Sequence, residues 1–342
     1  MAEKTIFRSS VFILGILLAA ATLSAQVHTG GEVSKGAGYF YKVYGNPKDV
    51  VKKAQPGFFL AGGGDDLDEG FRWMCRLANG GDFLVLRATG DDAYNPYIAS
   101  LCPGLNSVAT LVISSREGAQ QSFVATKLRN AEAIFISGGD QAHYIRWWKG
   151  TPVQDILNAR IAAGVPVGGT SAGLDVMGEF IYSALNDTVT TPEALANPFH
   201  GRVTLDRAFL NIPLLAGVIT DAHVAERSRL GRDIVFLARL LDQGWTTRAS
   251  GIFIDEKTAV LLRPDGRATV AGPGHAYFAR AASKPELCQA GKPLTFGGIS
   301  VYRLGQGGVF DVSTWQGTGG TAYDVSVGSG VLHSTQSNGS AY

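Results

Sequence analysis

Between Gly57 and Ser171 the chain repeats one pattern: a short apolar run ends on glycine or a small polar residue, and a longer stretch follows. Phe58-Phe59-Leu60-Ala61 leads into Gly62-Gly63-Gly64, and Phe83-Leu84-Val85-Leu86 into Ala88-Thr89-Gly90-Asp91. Val108 to Ile113 is a third run, Ala133-Ile134-Phe135-Ile136 leads into Ser137-Gly138-Gly139-Asp140, and Val165-Pro166-Val167 into Gly168-Gly169-Thr170-Ser171. Short runs without polar interruption are what strands buried on both faces of a parallel sheet require. Helical stretches lie between them. The clearest is Val153 to Ala163, with Val153, Ile156, Leu157 and Ile161 on one stripe. Strand alternating with helix predicts an α/β fold: a doubly wound, mostly parallel sheet flanked by helices. Such sheets bind ligands outside the carboxyl ends of their strands, so the Gly-rich loops should share one functional edge.

The second half changes character. Ile252-Phe253-Ile254, Ala259 to Leu262 and Ala268 to Val270 read as short strands, with a hairpin turn at Asp265-Gly266. After about Pro285 the chain is rich in Gly, Ser and Thr, with alternating segments such as Ile299-Ser300-Val301-Tyr302. The expected organisation is an α/β domain over residues 26–284 and a small β-rich C-terminal extension over 285–342, loose after Leu332.

The N-terminus reads as an export signal. Lys4 and Arg8 precede the apolar stretch Val11 to Leu23, and Leu23-Ser24-Ala25 offers small residues for cleavage after Ala25. The stretch is short for a membrane span, so the expected location is secreted or periplasmic, with no membrane contact once residues 1–25 are removed. The whole chain carries 30 basic and 29 acidic residues. Removing Glu3, Lys4 and Arg8 leaves 28 of each. Balanced charge without a basic run argues against a nucleic-acid partner. Cys75, Cys102 and Cys288 form no zinc pattern, and an odd count leaves at least one thiol unpaired within the chain. No metal or cofactor is expected.

The strongest local signal is Gly169-Thr170-Ser171-Ala172-Gly173, after a strand and before a helical stretch beginning at Leu174. A G-x-S-x-G turn between strand and helix needs small flanking residues and lifts the serine hydroxyl clear of the sheet. A nucleophilic serine needs a base. Of the six histidines, His223 ends the apolar run Val218-Ile219-Thr220-Asp221-Ala222 and is followed by Arg227, Arg229 and Arg232. His28, His143, His200, His275 and His333 have no such setting. Guanidinium groups near a base would suit a substrate carboxylate. Asp255-Glu256, after Ile252-Phe253-Ile254, supplies carboxylates to orient the base. Alternation turns the two to opposite sides, so only one can face the site. The order Ser, His, acid departs from the Ser, acid, His order of α/β-hydrolases.

These separated motifs resemble the cyanophycinase-like serine peptidases, peptidase family S51, which include aspartyl dipeptidases. The resemblance rests on Gly62-Gly63-Gly64, Ser137-Gly138-Gly139-Asp140-Gln141, Gly169 to Gly173, Asp221-Ala222-His223 with the three arginines, and Gly251 to Glu256, spread over about residues 57 to 275. It implies a sheet of the class I glutamine amidotransferase or flavodoxin kind. It makes Ser171 the nucleophile, His223 the base and Glu256 its orienting acid, with Asp255 facing outward or capping the turn. The Gly139 and Ala172 amides would form the oxyanion hole, and Asp140, Gln141, Asp221, Arg227, Arg229 and Arg232 would line the substrate pocket. The C-terminal β region and the export signal look like the extracellular members of the group.

The expected function is serine-type hydrolysis of Asp-containing or β-aspartyl peptides through an acyl-enzyme. The peptide substrate is the expected partner, and a homodimer is compatible with the sequence. True cyanophycinases resemble Asp-Gln-His-Phe where this chain has Asp221-Ala222-His223-Val224. A lost amide at Ala222 predicts weaker handling of cyanophycin, a poly-Asp backbone bearing Arg. The alternatives are a true extracellular cyanophycinase and a catalytically silent binding protein on the same fold. A glutamine amidotransferase would want cysteine where Ser171 stands.

Overall fold

The computed structural model describes Met1 and residues 31–342, so the expected export signal lies outside the described residues. Strands β1 (Val33–Gly36), β2 (Tyr39–Gly45) and β3 (Phe58–Ala61) are followed by helix α1 (Asp68–Ala78), β4 (Asp82–Arg87), α2 (Tyr94–Leu101) and β5 (Ser107–Ile113). Next come α3 (Ser122–Asn130), β6 (Ala133–Ile136), the single turn α4 (Gln141–His143), α5 (Pro152–Ala162), β7 (Val167–Thr170) and the single turn α6 (Ala172–Asp175). Then follow β8 (Phe180–Tyr182), α7 (Thr191–Ala196), β9 (Leu205–Arg207), β10 (Val218–Ala222) and α8 (Leu230–Asp242). The rest is β: β11 (Ala249–Ile254), β12 (Ala259–Leu262), β13 (Arg267–Ala271), β14 (Ala276–Ala281), β15 (Phe296–Leu304), β16 (Val309–Asp311), β17 (Gln316–Thr318), β18 (Thr321–Gly328) and β19 (Val331–Ser334).

The strands make two sheets. One runs β1-β2-β5-β4-β6-β7-β3-β12-β13-β16-β17 and the other β19-β18-β15-β14-β11-β10-β8-β9. The expected mostly parallel, doubly wound sheet is corrected in part. Parallel pairing is confined to β5-β4-β6-β7-β3 in the first sheet and to β11-β10-β8 in the second. The remaining pairings are antiparallel. The cause is connection length. Helical crossovers allow strands to run parallel, whereas tight turns such as the one at Asp265-Gly266 force reversal.

The C-terminal segment does not build a sheet of its own. β15, β18 and β19 extend the second sheet, while β16 and β17 extend the first. Each sheet would otherwise end on a row of unpaired backbone groups along β14 or β13, and an added strand satisfies them. The end beyond Leu332 is also held: the Tyr323 hydroxyl donates to the Ala341 carbonyl, and the Leu230 amide to the Tyr342 hydroxyl.

Alternation sorts the core. Phe58 and Leu60 of β3 join Ile252 and Ile254 of β11 and Phe278 of β14 in the largest apolar cluster. Phe59 and Ala61 turn the other way, onto Phe71 and Met74 of α1. Phe253 turns away from Ile252 onto the cluster built around α8, with Ile234 and Leu237. Both faces of both sheets are therefore covered, which is why these strands read as continuous apolar runs. Cys75 of α1 is disulfide-bonded to Cys102 at the end of α2, and Cys288 is a buried free thiol.

Candidate active site

The site forms where the two sheets meet. Ser171 follows β7 of the first sheet, His223 follows β10 of the second, and Glu256 lies on the link that crosses from β11 to β12. That crossing is not the solvent-exposed hairpin turn its sequence could suggest. It carries the acid from one sheet to the other.

Ser171 sits at φ 52° and ψ −122°. A positive φ in a non-glycine residue costs on the order of 1–3 kcal/mol and is held only by firm surroundings. Its amide donates to the Ala61 carbonyl at 3.1 Å. The flanking glycines are dictated by contact. A Cβ at Gly169 would lie 2.4 Å from the Gly173 carbonyl oxygen, and one at Gly173 2.1 Å from that of Ile136. The helix after the serine is one turn, not the longer stretch expected from Leu174 onward. A helix dipole therefore adds little here. The turn contributes the Ala172 amide.

His223 also has a positive φ, 56°, and its amide donates to the Gly62 carbonyl at 2.9 Å. Its ring lies so close to the Gly62-Gly63-Gly64 loop that a Cβ at Gly63 would stand 2.3 Å from Cε1. The triple glycine is thus the floor on which the histidine rests. Ser171 Oγ and His223 Nε2 are 2.7 Å apart, and His223 Nδ1 is 2.6 Å from Glu256 Oε1. With the carboxylate accepting from Nδ1–H, Nε2 is left free to accept from the serine hydroxyl. Burial holds the His223 pKa below its ordinary value, and Arg227 and Arg229 push the same way against the opposing Glu256. The imidazole is therefore neutral near pH 7, the form a base needs.

Asp255 takes the other side of the strand end but does not face outward. It is buried, accepts from the Ala225 and His275 amides at 3.0 Å each, and accepts from the Tyr277 hydroxyl. It braces the loop after His223. His275 lies beside Asp255, its Nδ1 3.7 Å from the carboxylate.

Beside Ser171 opens a cavity of about 410 Å³ whose wall includes Gly139, Ala172, Asp140, Gln141, Arg227 and Arg229. Asp140 caps α4, accepting from the Ala142 amide at 2.9 Å, and Gln141 donates to the Tyr182 carbonyl. Arg227 is half-exposed and reaches Glu256 at 3.4 Å. Arg229 donates to the Ala222 carbonyl at 2.9 Å.

Two expected pocket residues are absent from that wall. Asp221 and Arg232 are fully buried and spent on each other: Arg232 Nη2 lies 2.6 Å from Asp221 Oδ2 and Nε 2.9 Å from it. The guanidinium stacks over Tyr182 and bonds to Thr188 and Val189. Burial alone would raise the Asp221 pKa, but Arg232 and Arg229 outweigh it and hold the carboxyl well below the usual range. Ala222 is buried in the largest apolar cluster and does not line the cavity, so it cannot set specificity by direct contact. Conversely, Arg146, Asp175, Asp187 and Thr188 line the cavity without having been singled out. Asp175 follows Ser171 by four residues, one helical turn, and that spacing was the one available signal.

A family model described as peptidase family S51 matches residues 88–268, a span that holds Ser171, His223 and Glu256. The chain is 29% identical over 212 residues to a cyanophycinase of Trichormus variabilis (strain ATCC 29413 / PCC 7937), covering 60% of this chain and 66% of that protein. It is 27% identical over 218 residues to a cyanophycinase of Synechococcus elongatus, covering 62% and 63%. The chain thus spans just under two thirds of the length of these relatives. Among solved structures, a peptidase from an acI-B1 Actinobacterium superposes with a TM-score of 0.52 at 17% identity, covering 76% of this chain and 98% of that one. That likeness is one of fold.

Proposed function

The chain belongs to peptidase family S51, and on that premise we propose that it is an exported serine peptidase that cleaves Asp-containing or β-aspartyl peptides. The observation that carries the reading is the unbroken line from Glu256 through His223 to Ser171, which stands on the wall of an arginine-lined cavity. Ser171 Oγ attacks the substrate carbonyl while His223 Nε2 takes its proton. The oxygen that becomes negative is met by the Gly139 and Ala172 amides, which share the cavity wall with Ser171. His223 returns the proton to the leaving amine, and water then releases the acyl group by the same route. Glu256 holds the ring in the tautomer that keeps Nε2 free and stabilises the imidazolium as it forms.

The cavity favours an acyl residue bearing a carboxylate, because Arg146, Arg227 and Arg229 all stand on its wall. Export is supported by the signal-like residues 1–25 and by the Cys75–Cys102 disulfide, which persists in oxidising compartments. The cyanophycinase relatives make cyanophycin a substrate to test, and the buried Ala222 removes the reason to expect poor cleavage.

The test is reaction of the mature chain with a fluorophosphonate, with peptide mapping of the label, alongside hydrolysis of β-aspartyl dipeptides, α-aspartyl peptides and cyanophycin. The expected result is labelling at Ser171 and turnover of at least one carboxylate-bearing substrate, with a loss of about a thousandfold or more in Ser171→Ala. Residual activity within about tenfold of wild type in that variant, or labelling elsewhere, would overturn the nucleophile assignment.

A further inference from the structure

Helix α8 begins without an acceptor of its own. Its N-cap position is Arg229, whose side chain makes no capping hydrogen bond. Serine, threonine, aspartate or asparagine would ordinarily stand there and accept from the first free amides. Arg229 is committed elsewhere: it stands on the cavity wall and donates to the Ala222 carbonyl at 2.9 Å. The acceptors therefore come from distant segments. Thr191 Oγ1 accepts from the Arg232 amide at 3.3 Å, and the Tyr342 hydroxyl accepts from the Leu230 amide at 3.3 Å. The second bond spans 112 residues, from the C-terminal extension to the loop behind the base.

The extension holds that tyrosine in place. Its ring packs on the apolar cluster around α8 and meets Tyr277 edge-on, with ring centres 6.2 Å apart. The Ala341 carbonyl accepts from the Tyr323 hydroxyl at 2.7 Å, and the Tyr342 amide donates to Ser340 Oγ at 3.2 Å. Tyr277 in turn donates to Asp255, which accepts from the Ala225 amide. The two tyrosines thus fix the two ends of the loop from Ala225 to Leu230, which carries Arg227 and Arg229 to the cavity. Inside that loop Ser228 has a positive φ, 50°, a conformation that persists only where the surroundings hold it. The Arg229 amide donates to the Val224 carbonyl at 2.8 Å, and its carbonyl accepts from the Asp233 amide at 3.1 Å. The Tyr342 hydroxyl holds the remaining side of the 229–230 peptide.

We propose that Tyr342 is a positioning residue, which caps α8 from the C-terminal extension and so sets Arg229 in the wall beside Ser171. This rests on the reading of that wall as the place where a substrate anion meets arginine. The extension then does more than cover the edge of the second sheet: one of its side chains completes the site.

The probe is succinate, a dianion without an amide bond, read by how far it slows labelling of Ser171 by an uncharged fluorophosphonate. The labelling rate without succinate reports the Ser171–His223–Glu256 line, and the inhibition constant of succinate reports the arginines. Tyr342→Phe keeps the ring and removes the acceptor. Its succinate constant should rise about 3- to 30-fold, the factor that a helix cap is worth in an equilibrium, while the labelling rate stays within about twofold of wild type. Tyr342→Ala should match or exceed that rise, and should it fail to fold, Tyr342→Phe decides alone. In Arg229→Met the constant should rise as well, and adding Tyr342→Phe to it should change nothing further, since the two act through one group. A constant unmoved by Tyr342→Phe, or a full further rise in the Arg229→Met background, overturns the role of Tyr342. A parallel fall in the labelling rate makes Tyr342 a brace of the whole fold and overturns that role too. Succinate that never slows wild-type labelling overturns the anion-binding wall, and absence of labelling overturns the hydrolytic reading itself.

Discussion

The Ser171–His223–Glu256 line and the Asp221–Arg232 pair grow from the same strand end, where β10 places Asp221 two residues before His223. Their side chains leave that strand for opposite environments. Asp221 and Arg232 are sealed beneath the cavity, with every guanidinium nitrogen of Arg232 bonded and the ring of Tyr182 beneath it. Ser171 stands at the rim, with His223 and Glu256 linked behind it by single hydrogen bonds, and the serine and the histidine both hold strained backbone. The buried pair spends its charge on the fold. The rim keeps its charge available. Charged residues next to a reactive group thus serve it in two ways, as the floor that fixes it or as the wall that meets the substrate, and sequence neighbourhood does not distinguish them.

Glu256→Gln breaks the rim side of this comparison with the largest expected effect. The amide keeps the shape of the side chain but cannot stabilise an imidazolium, and it can donate to Nδ1 and so select the wrong tautomer. Turnover should fall by about 10³- to 10⁴-fold, measured as kcat on the best substrate found. The thermal midpoint should stay close to that of wild type. A loss within tenfold would mean that another group orients His223, and the contrast between rim and floor would lose one of its terms.

Arg232→Met tests the floor. It removes the cation and leaves Asp221 buried without its partner, a change that costs about 3–5 kcal/mol when one member of a buried pair is deleted. Denaturant unfolding should show that loss. The folded fraction should still react with a fluorophosphonate, because Arg232 does not line the cavity and meets its wall only through Thr188, away from Ser171. A variant of unchanged stability with a specific loss of substrate binding would return Arg232 to the pocket, where the family resemblance placed it.

That reversal shows what the sequence could carry. The strands β3, β5 and β6 were legible almost to the residue because burial on both faces leaves no charged position in them. The serine, the histidine and the glutamate were legible because each sits at a strand end with small or polar neighbours. The antiparallel flanks were not, since a short strand followed by a turn does not say which sheet it will join. β11 and β12 read as neighbours and lie in different sheets. Asp255 was expected to face outward or cap the turn, because alternation lets only one of the two carboxylates face the site. The two amides and the tyrosine that hold it come from residues 225, 275 and 277, far along the chain. Asp175 stayed hidden for the same reason: its neighbours Asp221 and Arg229 arrive on another strand and loop.

The smallest effect tests how the rim charges tune the base. His223 must be neutral to accept a proton, and burial together with Arg227 and Arg229 holds its pKa below the ordinary 6.5. The acid limb of kcat/KM should therefore lie below that value. Arg227→Ala removes a positive charge near the ring and frees Glu256 from a competing cation 3.4 Å away. Both changes favour the imidazolium, so the pKa rises and the limb moves to higher pH. The Arg227 side chain is 51% exposed, so water and salt screen it, and the shift should be only about a few tenths of a pH unit. Arg227→Lys keeps the charge and should leave the limb near its wild-type position. Added salt should move the wild-type limb in the same direction as Arg227→Ala, and should move the variant's limb less. A limb that stays fixed in Arg227→Ala would show that burial alone sets the pKa of the base, and that the exposed arginine belongs wholly to the substrate wall.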